Sequence, residues 1–270
     1  MRRHGILVLL VILSAVAPAA LAADGTIQAA ENKVSLGVTA GYGDYEENIV
    51  PQDTEGGPMV GLTAGVSSLV PGIMAGYRLP DLYTDVNYDF SNGFLSYRRN
   101  PLAPGDAPFE TGDGAQYNTA IVRLGAGAAA GTGQEIIPYI AGGYQNWHRS
   151  LGGGTGYGAT YQAGLVGGGL KLDVADDAAL VLSAAAEGFA VVGGAVSVPS
   201  ENLDGSFGAS AEERISLGAD YRLNRTWHAF AGLGITHYEY TGSKTGVAGN
   251  TVPLSTTFQL NSMFGVAYGF

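Results

Sequence analysis

The chain contains no cysteine, few charged residues and no long apolar run beyond its first residues. With no cysteine in 270 residues, no disulfide framework holds it together. Only 14% of the residues are charged, and acidic residues outnumber basic ones by 24 to 13, which leaves no basic surface for nucleic acid. After residue 22 no apolar run is long enough to cross a bilayer as a helix, so an α-helical membrane protein is excluded.

The first residues predict a secretory signal peptide over residues 1–22. Residues 1–4 (MRRH) are positively charged, residues 6–16 are apolar, and residues 20–22 (Ala-Leu-Ala) fit a small-x-small cleavage site. An uncleaved N-terminal anchor helix is the alternative, although the apolar run is short for a membrane span. We therefore predict an exported chain that begins with a short periplasmic segment over residues 23–32.

What the sequence has in abundance is alternation. From Thr257 onward one face of a strand is apolar, interrupted only by Ser262, and the other face is small or polar, because successive strand residues point to opposite sides. Lipid outside and a polar lumen inside a membrane β-barrel demand this pattern. The apolar positions of this last segment are Phe258, Leu260, Phe264, Val266, Tyr268 and Phe270.

At Phe264, Val266, Tyr268 and Phe270 the chain resembles the C-terminal signature of bacterial outer-membrane β-barrels. The resemblance implies that the barrel-assembly machinery recognises this last strand before insertion. In overall pattern the mature chain is similar to the opacity-type and outer-membrane-protein-A-type barrels of Gram-negative bacteria. That similarity implies a location in the bacterial outer membrane, in contact with its lipid and lipopolysaccharide.

The alternation predicts an all-β fold, a single transmembrane antiparallel up-and-down barrel over residues 33–270. Ten segments qualify, an even number as single-chain barrels require. Near Pro71 the apolar parity switches; a bulge near Ser67-Ser68 or a strand that begins at Pro71 would explain the switch, and eight strands are the alternative. The predicted strands are residues 33–47, 67–79, 82–97, 117–129, 136–149, 157–172, 178–192, 211–223, 226–241 and 256–270.

Connections between these segments alternate in length. The short turns belong at the periplasmic end and the long segments outside the cell. The predicted turns are residues 80–81, 131–135, 173–177 and 224–225, and the predicted long loops are residues 48–66, 98–116, 193–210 and 242–255, with a shorter glycine-rich loop at 150–156.

Charged side chains share the inward parity of several strands. In a narrow lumen, acids and bases that face one another neutralise each other and block water, because small barrels are filled by side chains. The alternative is an ion pathway or a gate made by the same pairs. The predicted lumen network, structural or gating, consists of Asp85, Asp89, Arg123, Glu187, Arg214, Asp220 and Arg222.

Two further groups of residues are interpreted without a specific function. Aromatic residues near strand ends, among them Trp147 and Trp227, are expected in interfacial girdles. An acidic first loop contains five carboxylates without a base and is interpreted as solvated, with divalent-cation binding as the alternative. Its members are Asp44, Glu46, Glu47, Asp53 and Glu55.

No catalytic, cofactor-binding or metal site is predicted. An omptin-like protease needs an acid–histidine pair at the outer mouth, and none of His148, His228 and His237 can be matched to such a motif. His148-Arg149-Ser150 superficially resembles the His-x-Ser of lipid A deacylases, but no glutamate in the next strand would orient that histidine.

The predicted function is that of a non-enzymatic, monomeric outer-membrane barrel, a surface or structural protein that acts through its extracellular loops. The alternative is a narrow, passive, porin-like channel. A barrel hydrolase of the omptin-like or lipid A-modifying kind is a more distant alternative.

Overall fold

The computed structural model describes residues 24–47, 53–74, 77–100, 107–151, 158–176, 179–199, 203–241, 244–245 and 254–270. These ranges contain one helix and twelve strands. They are α1 (Asp24–Glu31), β1 (Lys33–Glu47), β2 (Asp53–Met74), β3 (Tyr77–Arg99), β4 (Phe109–Gly131), β5 (Gln134–Leu151), β6 (Gly158–Ala175), β7 (Leu180–Val198), β8 (Leu203–Ser206), β9 (Ala211–Arg222), β10 (Trp227–Tyr240), β11 (Lys244–Thr245) and β12 (Ser255–Gly269).

Ten of these strands close into an antiparallel barrel within the described ranges. Strands β1 to β7 pair in chain order, β7 pairs with β9, β9 with β10 and β10 with β12, and β12 returns to β1. The short strands β8 and β11 extend the sheet beside the outer part of β7. The all-β up-and-down barrel and the count of ten rather than eight strands are confirmed.

The second strand differs most from the prediction. It begins at Asp53, so the predicted long loop at 48–66 and the predicted strand at 67–79 are both wrong, and the predicted turn at 80–81 lies inside β3. The outer part of β2 contains Gly56, Gly57 and Pro58, residue types that are typical of turns. Antiparallel pairing with β1 and β3 nevertheless holds this part of the chain as a strand.

The parity switch has its cause at Pro71. The register between β2 and β3 shifts between Val70 and Gly72, so Pro71 occupies a bulge, where a residue without an N–H group leaves no ladder hydrogen bond unmade. The bulge lies three residues beyond the predicted Ser67-Ser68 position.

The predicted outer loops are shorter than expected. Strand β3 runs to Arg99 and β4 begins at Phe109, so most of the predicted loop at 98–116 belongs to a hairpin of two 23-residue strands. A tilted membrane strand needs only about 9–11 residues to cross the bilayer. These strands therefore continue well beyond the membrane, and the barrel wall rises above it at the outer end.

The outward face is mainly apolar along the inner part of the barrel. On β1, for example, Val34, Leu36 and Val38 point away from the lumen and are 48%, 59% and 41% exposed. Farther out the outward positions become polar, as at Glu46, Arg98 and His148. Among the described residues, no helix has the length and apolarity that a membrane span requires.

The first element of the described chain lies inside the barrel. Helix α1 contacts β2, β6, β7 and β9 at the end where β1 begins and β12 ends, and its Ile27 is 1% exposed among Leu69, Tyr83 and Ile137. We call this end the inner end, in accordance with the expected periplasmic position of the termini and short turns.

Candidate functional site in the barrel lumen

The middle of the lumen is organised by Arg123 on β4. Its Nε and Nη2 donate to the two carboxylate oxygens of Glu187 on β7 at 2.8 and 2.7 Å, and its Nη1 donates to Asp85 on β3 at 2.7 Å. Tyr139 donates its hydroxyl to Glu187 at 3.1 Å. Two-pronged pairing of this kind fixes the guanidinium in place and joins three strands across the lumen.

Arg214 on β9 forms a second centre. It donates to Glu212, which is fully excluded from solvent two residues earlier on the same face of the strand. Asp89 contacts Thr63, and no basic group in the described chain lies within ion-pairing distance of its carboxylate. The predicted network is therefore several separate groups rather than one.

The inner end contains a third group. Asp220 lies between Lys33, whose Nζ is 2.6 Å away, and Nδ1 of His228, also 2.6 Å away. His228 is 1% exposed, and the three residues come from β9, β1 and β10. The sequence identified Asp220 as inward but left Lys33 and His228 out. Arg222, the last member of the predicted network, pairs in register with His228 at the end of β9.

Helix α1 closes the lumen at this inner end. Lys171 on β6 donates to Glu31 at 2.5 Å and lies 3.1 Å from Asp173. Burial opposes ionisation of Glu31, but the charges of Lys171 and Lys33 outweigh it and hold the pKa of the Glu31 carboxyl below its ordinary value. Ser67 donates its hydroxyl to the Glu31 carbonyl at 2.6 Å, which anchors the end of the helix to β2.

A charged cluster closes the outer end. Arg149 on β5 is 1% exposed, and its Nη2 lies 2.6 Å from Glu55. Glu47 and Asp113 lie on other sides of the same guanidinium, each at 3.6 Å. Three carboxylates thus share one buried arginine.

Aromatic rings surround this cluster. Trp147 stacks on Tyr161 with ring centroids 4.4 Å apart and on Tyr117 at 5.2 Å, and Phe207 stacks on Tyr240 at 4.8 Å. The guanidinium of Arg149 lies 4.9 Å from the ring centroid of Tyr45. We call these rings and the Arg149 cluster the outer layer; it fills the lumen above the bilayer.

Two predictions fail in the outer layer. Trp147 is 2% exposed and inside the lumen, so its expected place in a lipid-facing girdle is wrong. The five acids of the predicted first loop all lie on strands, where Asp44 and Glu46 face outward and Glu47, Asp53 and Glu55 are buried. Arg99 pairs with Asp53, and Arg149 lies beside Glu47 and Glu55, so only Asp44 and Glu46 are solvated, and these two lie on a strand rather than in a loop.

A cavity of about 350 Å³ remains between the outer layer and α1. Its walls include Asp85 and Asp89 on β3, Arg123 on β4, and Phe230 and Gly234 on β10. Gly234 leaves part of this space open, because a side chain at that position would project into it. At Gly234 a Cβ atom would meet nothing nearer than 3.9 Å.

The described residues contain no group of three or more histidine, cysteine, aspartate or glutamate side chains arranged to hold a metal ion. Of the three histidines in these ranges, His228 lies at the inner end. His148 is exposed and contacts Thr160 at 3.0 Å, and His237 pairs with the outward Glu213 and Phe258.

The predicted assembly residues lie together on the outward face of the barrel. Phe264, Val266 and Tyr268 are 67%, 50% and 49% exposed, and Phe270 follows at 67%. Tyr268 makes an edge contact with Trp227 at 5.5 Å between centroids, which fits an interfacial pair.

No protein-family model matches the chain, and a search of curated proteins gives no significant match. Among solved structures, the chain is similar to the outer membrane protease OmpT from Escherichia coli. That match has a TM-score of 0.53 at 9% identity and covers 88% of this chain and 95% of the other. The transport unit of the autotransporter AIDA-I from Escherichia coli matches with a TM-score of 0.52 at 11% identity, over 89% of this chain and 91% of the other.

At such identities the likeness concerns the fold. It confirms the predicted outer-membrane β-barrel. A closed barrel with an apolar outward band meets the demands of a bilayer, since every backbone group is paired within the sheet. This agrees with the predicted location in the bacterial outer membrane.

Proposed function

We propose that the protein is a non-enzymatic outer-membrane barrel, closed to free passage of solutes, that serves the cell surface through its extracellular end. The observation that carries this proposal is the filling of the lumen at both ends. Helix α1 occupies the inner end, and the outer layer occupies the other. A barrel whose lumen is filled at both ends is better suited to displaying its extracellular end than to the diffusion of solutes.

The charges between the two closures support the same conclusion. Arg123 is matched by two carboxylates and Arg214 by Glu212, so the arginines that a conducting pore would present to ions are engaged. Opening such a lumen would expose carboxylates that the pairs now neutralise, and small barrels are normally filled in this manner.

A narrow passive channel is the second candidate. The cavity of about 350 Å³ favours it, because a void at mid-membrane shortens the path that must open. The channel would require α1 and the outer layer to move.

The placement of the histidines supports a non-enzymatic role. A hydrolase of the omptin-like kind needs a general base facing the lumen at the outer mouth, within hydrogen-bond reach of its partner. His148 is nearest in height but points outward. We propose that the barrel works as a monomer that the barrel-assembly machinery inserts into the membrane. Its apolar outward band is suited to contact with lipid and lipopolysaccharide.

Planar-bilayer recording of the folded protein tests the closure. We expect no steady conductance for the wild type. Ile27→Arg should open the inner end by forcing a charge into the packing of α1, but should leave the outer layer in place and so yield brief openings only. Gly25→Ala is the matched control on the same helix, because a Cβ there meets nothing within 4 Å. Steady wild-type conductance, unaltered by Ile27→Arg, would replace the proposal with the channel.

A further inference from the structure

The cavity in the middle of the lumen has features that closure alone does not require. Its volume of about 350 Å³ lies at the small end of the range for sites that hold organic ligands. The lining is mixed, with the carboxylates of Asp85 and Asp89 and also apolar surface from Phe230 and Met263. A larger residue at Gly234 on β10 would have filled part of this space, since a Cβ atom there meets nothing nearer than 3.9 Å.

The charge around the cavity is not balanced. Within the described chain, seven carboxyl groups line it or pair with bases that line it, whereas only four lysine and arginine side chains do. The acids are Glu31, Asp85, Asp89, Asp173, Glu187, Glu212 and Asp220, and the bases are Lys33, Arg123, Lys171 and Arg214. A buried excess of negative charge is costly without a cation to offset it.

Asp89 differs from the other carboxylates of this group in its ion pairing. Every other acid of the group forms an ion pair with a lysine or arginine of the described chain, whereas no such base lies within ion-pairing distance of Asp89, which is close to the hydroxyl of Thr63. A positively charged group in the cavity would therefore be attracted to Asp89 first.

Gln259 provides a second, independent feature. Its side chain lines the cavity and is only 5% exposed. Its Oε1 accepts a hydrogen bond from Tyr238 at 3.2 Å, whereas its Nε2 lies near Tyr117 but makes no hydrogen bond of good geometry in the described chain. A buried donor left unmade is costly, and a ligand oxygen could satisfy it.

We propose that this cavity binds a small organic cation that also carries a hydrogen-bond acceptor, with a protonated amino alcohol as the simplest member of the class. The ammonium group pairs with Asp89, the oxygen accepts from Gln259, and the methylene groups pack against Phe230 and Met263. This inference goes beyond the proposed surface role and does not depend on it. Because α1 and the outer layer lie across the two ends of the lumen, we expect the ligand to enter past one of them.

Thermal unfolding of the detergent-solubilised, folded barrel tests the proposal with three probes of equal length. Aminobutanol carries the cation and the acceptor, butanediol is neutral, and hydroxybutyrate is an anion. Each probe is present during refolding, so that entry does not limit the result. We expect aminobutanol to raise the unfolding midpoint in a saturable manner, as a ligand of the native state does, and the other two probes to have no saturable effect.

Two variants and a control locate the effect. Asp89→Asn should weaken the apparent affinity for aminobutanol by about tenfold or more, as the loss of a charged partner predicts. Gly234→Leu should abolish binding by filling the cavity, while the protein still folds because space for the side chain exists. Gly188→Leu, on the outward face with nothing within 4 Å of its Cβ position, should bind as the wild type does.

Three results would overturn the proposal. The first is an equal shift with all three probes. The second is an aminobutanol shift that persists in both Asp89→Asn and Gly234→Leu. The third is the same saturable shift with potassium chloride alone, which would mean that an inorganic ion, rather than an amino alcohol, offsets the charge of the cavity.

Discussion

Nη2 of Arg149 lies 2.6 Å from Oε2 of Glu55, and the two side chains are 2% and 0% exposed. This pair joins β5 to β2 inside the part of the barrel that rises above the bilayer. With Glu47 and Asp113 also beside the guanidinium, a single positive charge faces three carboxyl groups. Three carboxyl groups of the outer layer therefore depend on the side chain of Arg149.

The first prediction concerns that arginine. Arg149→Ala leaves three buried carboxylates without their base and should destabilise the folded barrel by about 3–5 kcal/mol. Reversible unfolding in urea from lipid vesicles measures the change. The exposed Arg98, 3.6 Å from Glu110, is the matched control, and its replacement by alanine should have little effect. Equal effects of the two substitutions would contradict the assigned role.

The second prediction concerns the middle of the lumen. Arg123→Ala removes the partner of both Asp85 and Glu187, and Arg214→Ala removes that of Glu212. Both should lower the unfolding midpoint and should raise the bilayer conductance from zero to intermittent openings. An unchanged midpoint together with altered ion selectivity in a wild type that already conducts would favour a working pore.

The third prediction is a pH dependence of the inner closure. The pKa of Glu31 is lower in the folded barrel than its ordinary value of 4.5, so its contribution to stability is present above that value and is lost as the pH falls through the lower, folded-state pKa. In planar-bilayer recordings, brief openings should therefore be absent from neutral pH to below 4.5 and should appear only in stronger acid. Glu31→Gln should remove this acid-dependent step. A step at neutral pH, or one that survives in the variant, would assign it to another group.

The fourth prediction concerns assembly. Phe270→Ser shortens the apolar outward row of β12 at its end and should reduce the amount of heat-modifiable, folded protein in the outer-membrane fraction. Leu254 is 37% exposed next to the other end of the strand, and Leu254→Ser serves as a comparison that should have a smaller effect. Normal levels of folded Phe270→Ser protein would remove the assembly role.

The fifth prediction concerns orientation. The segment between Arg99 and Phe109 connects two strands at the end opposite to α1, although Gly105 itself lies outside the described residues. An epitope inserted near Gly105 should bind antibody on intact cells. Binding only after permeabilisation would reverse the assigned orientation of the barrel.

The sequence predicted the barrel where lipid imposes alternation. Strand β1 has the predicted bounds, and Arg123, Asp85 and Glu187 meet in the lumen because their parity is unambiguous. Above the bilayer no lipid acts on the outward face, so both faces of a strand can be polar and the two-residue period fades. This is why the outer part of β2 and the inward Trp147 escaped prediction.

Helix α1 escaped for a different reason. Eight residues are too few to form a stable helix alone. Packing of Ile27 against the barrel wall stabilises the helix, and the local sequence does not reveal that packing. The Lys171–Glu31 contact was out of reach for the same reason. A parity argument places Lys171 inward but does not say what enters the lumen to meet it.

The contact between Lys33 and Asp220 also has a consequence for how the molecule is made. It joins positions 187 residues apart and lies beside the seam where the first and last strands pair. Contacts between such distant parts of a chain form late, since the ordering of everything between them comes first. Lys33→Ala should therefore act on the closing step of folding, and the mutant should persist longer as an open, protease-sensitive sheet before the ring is complete.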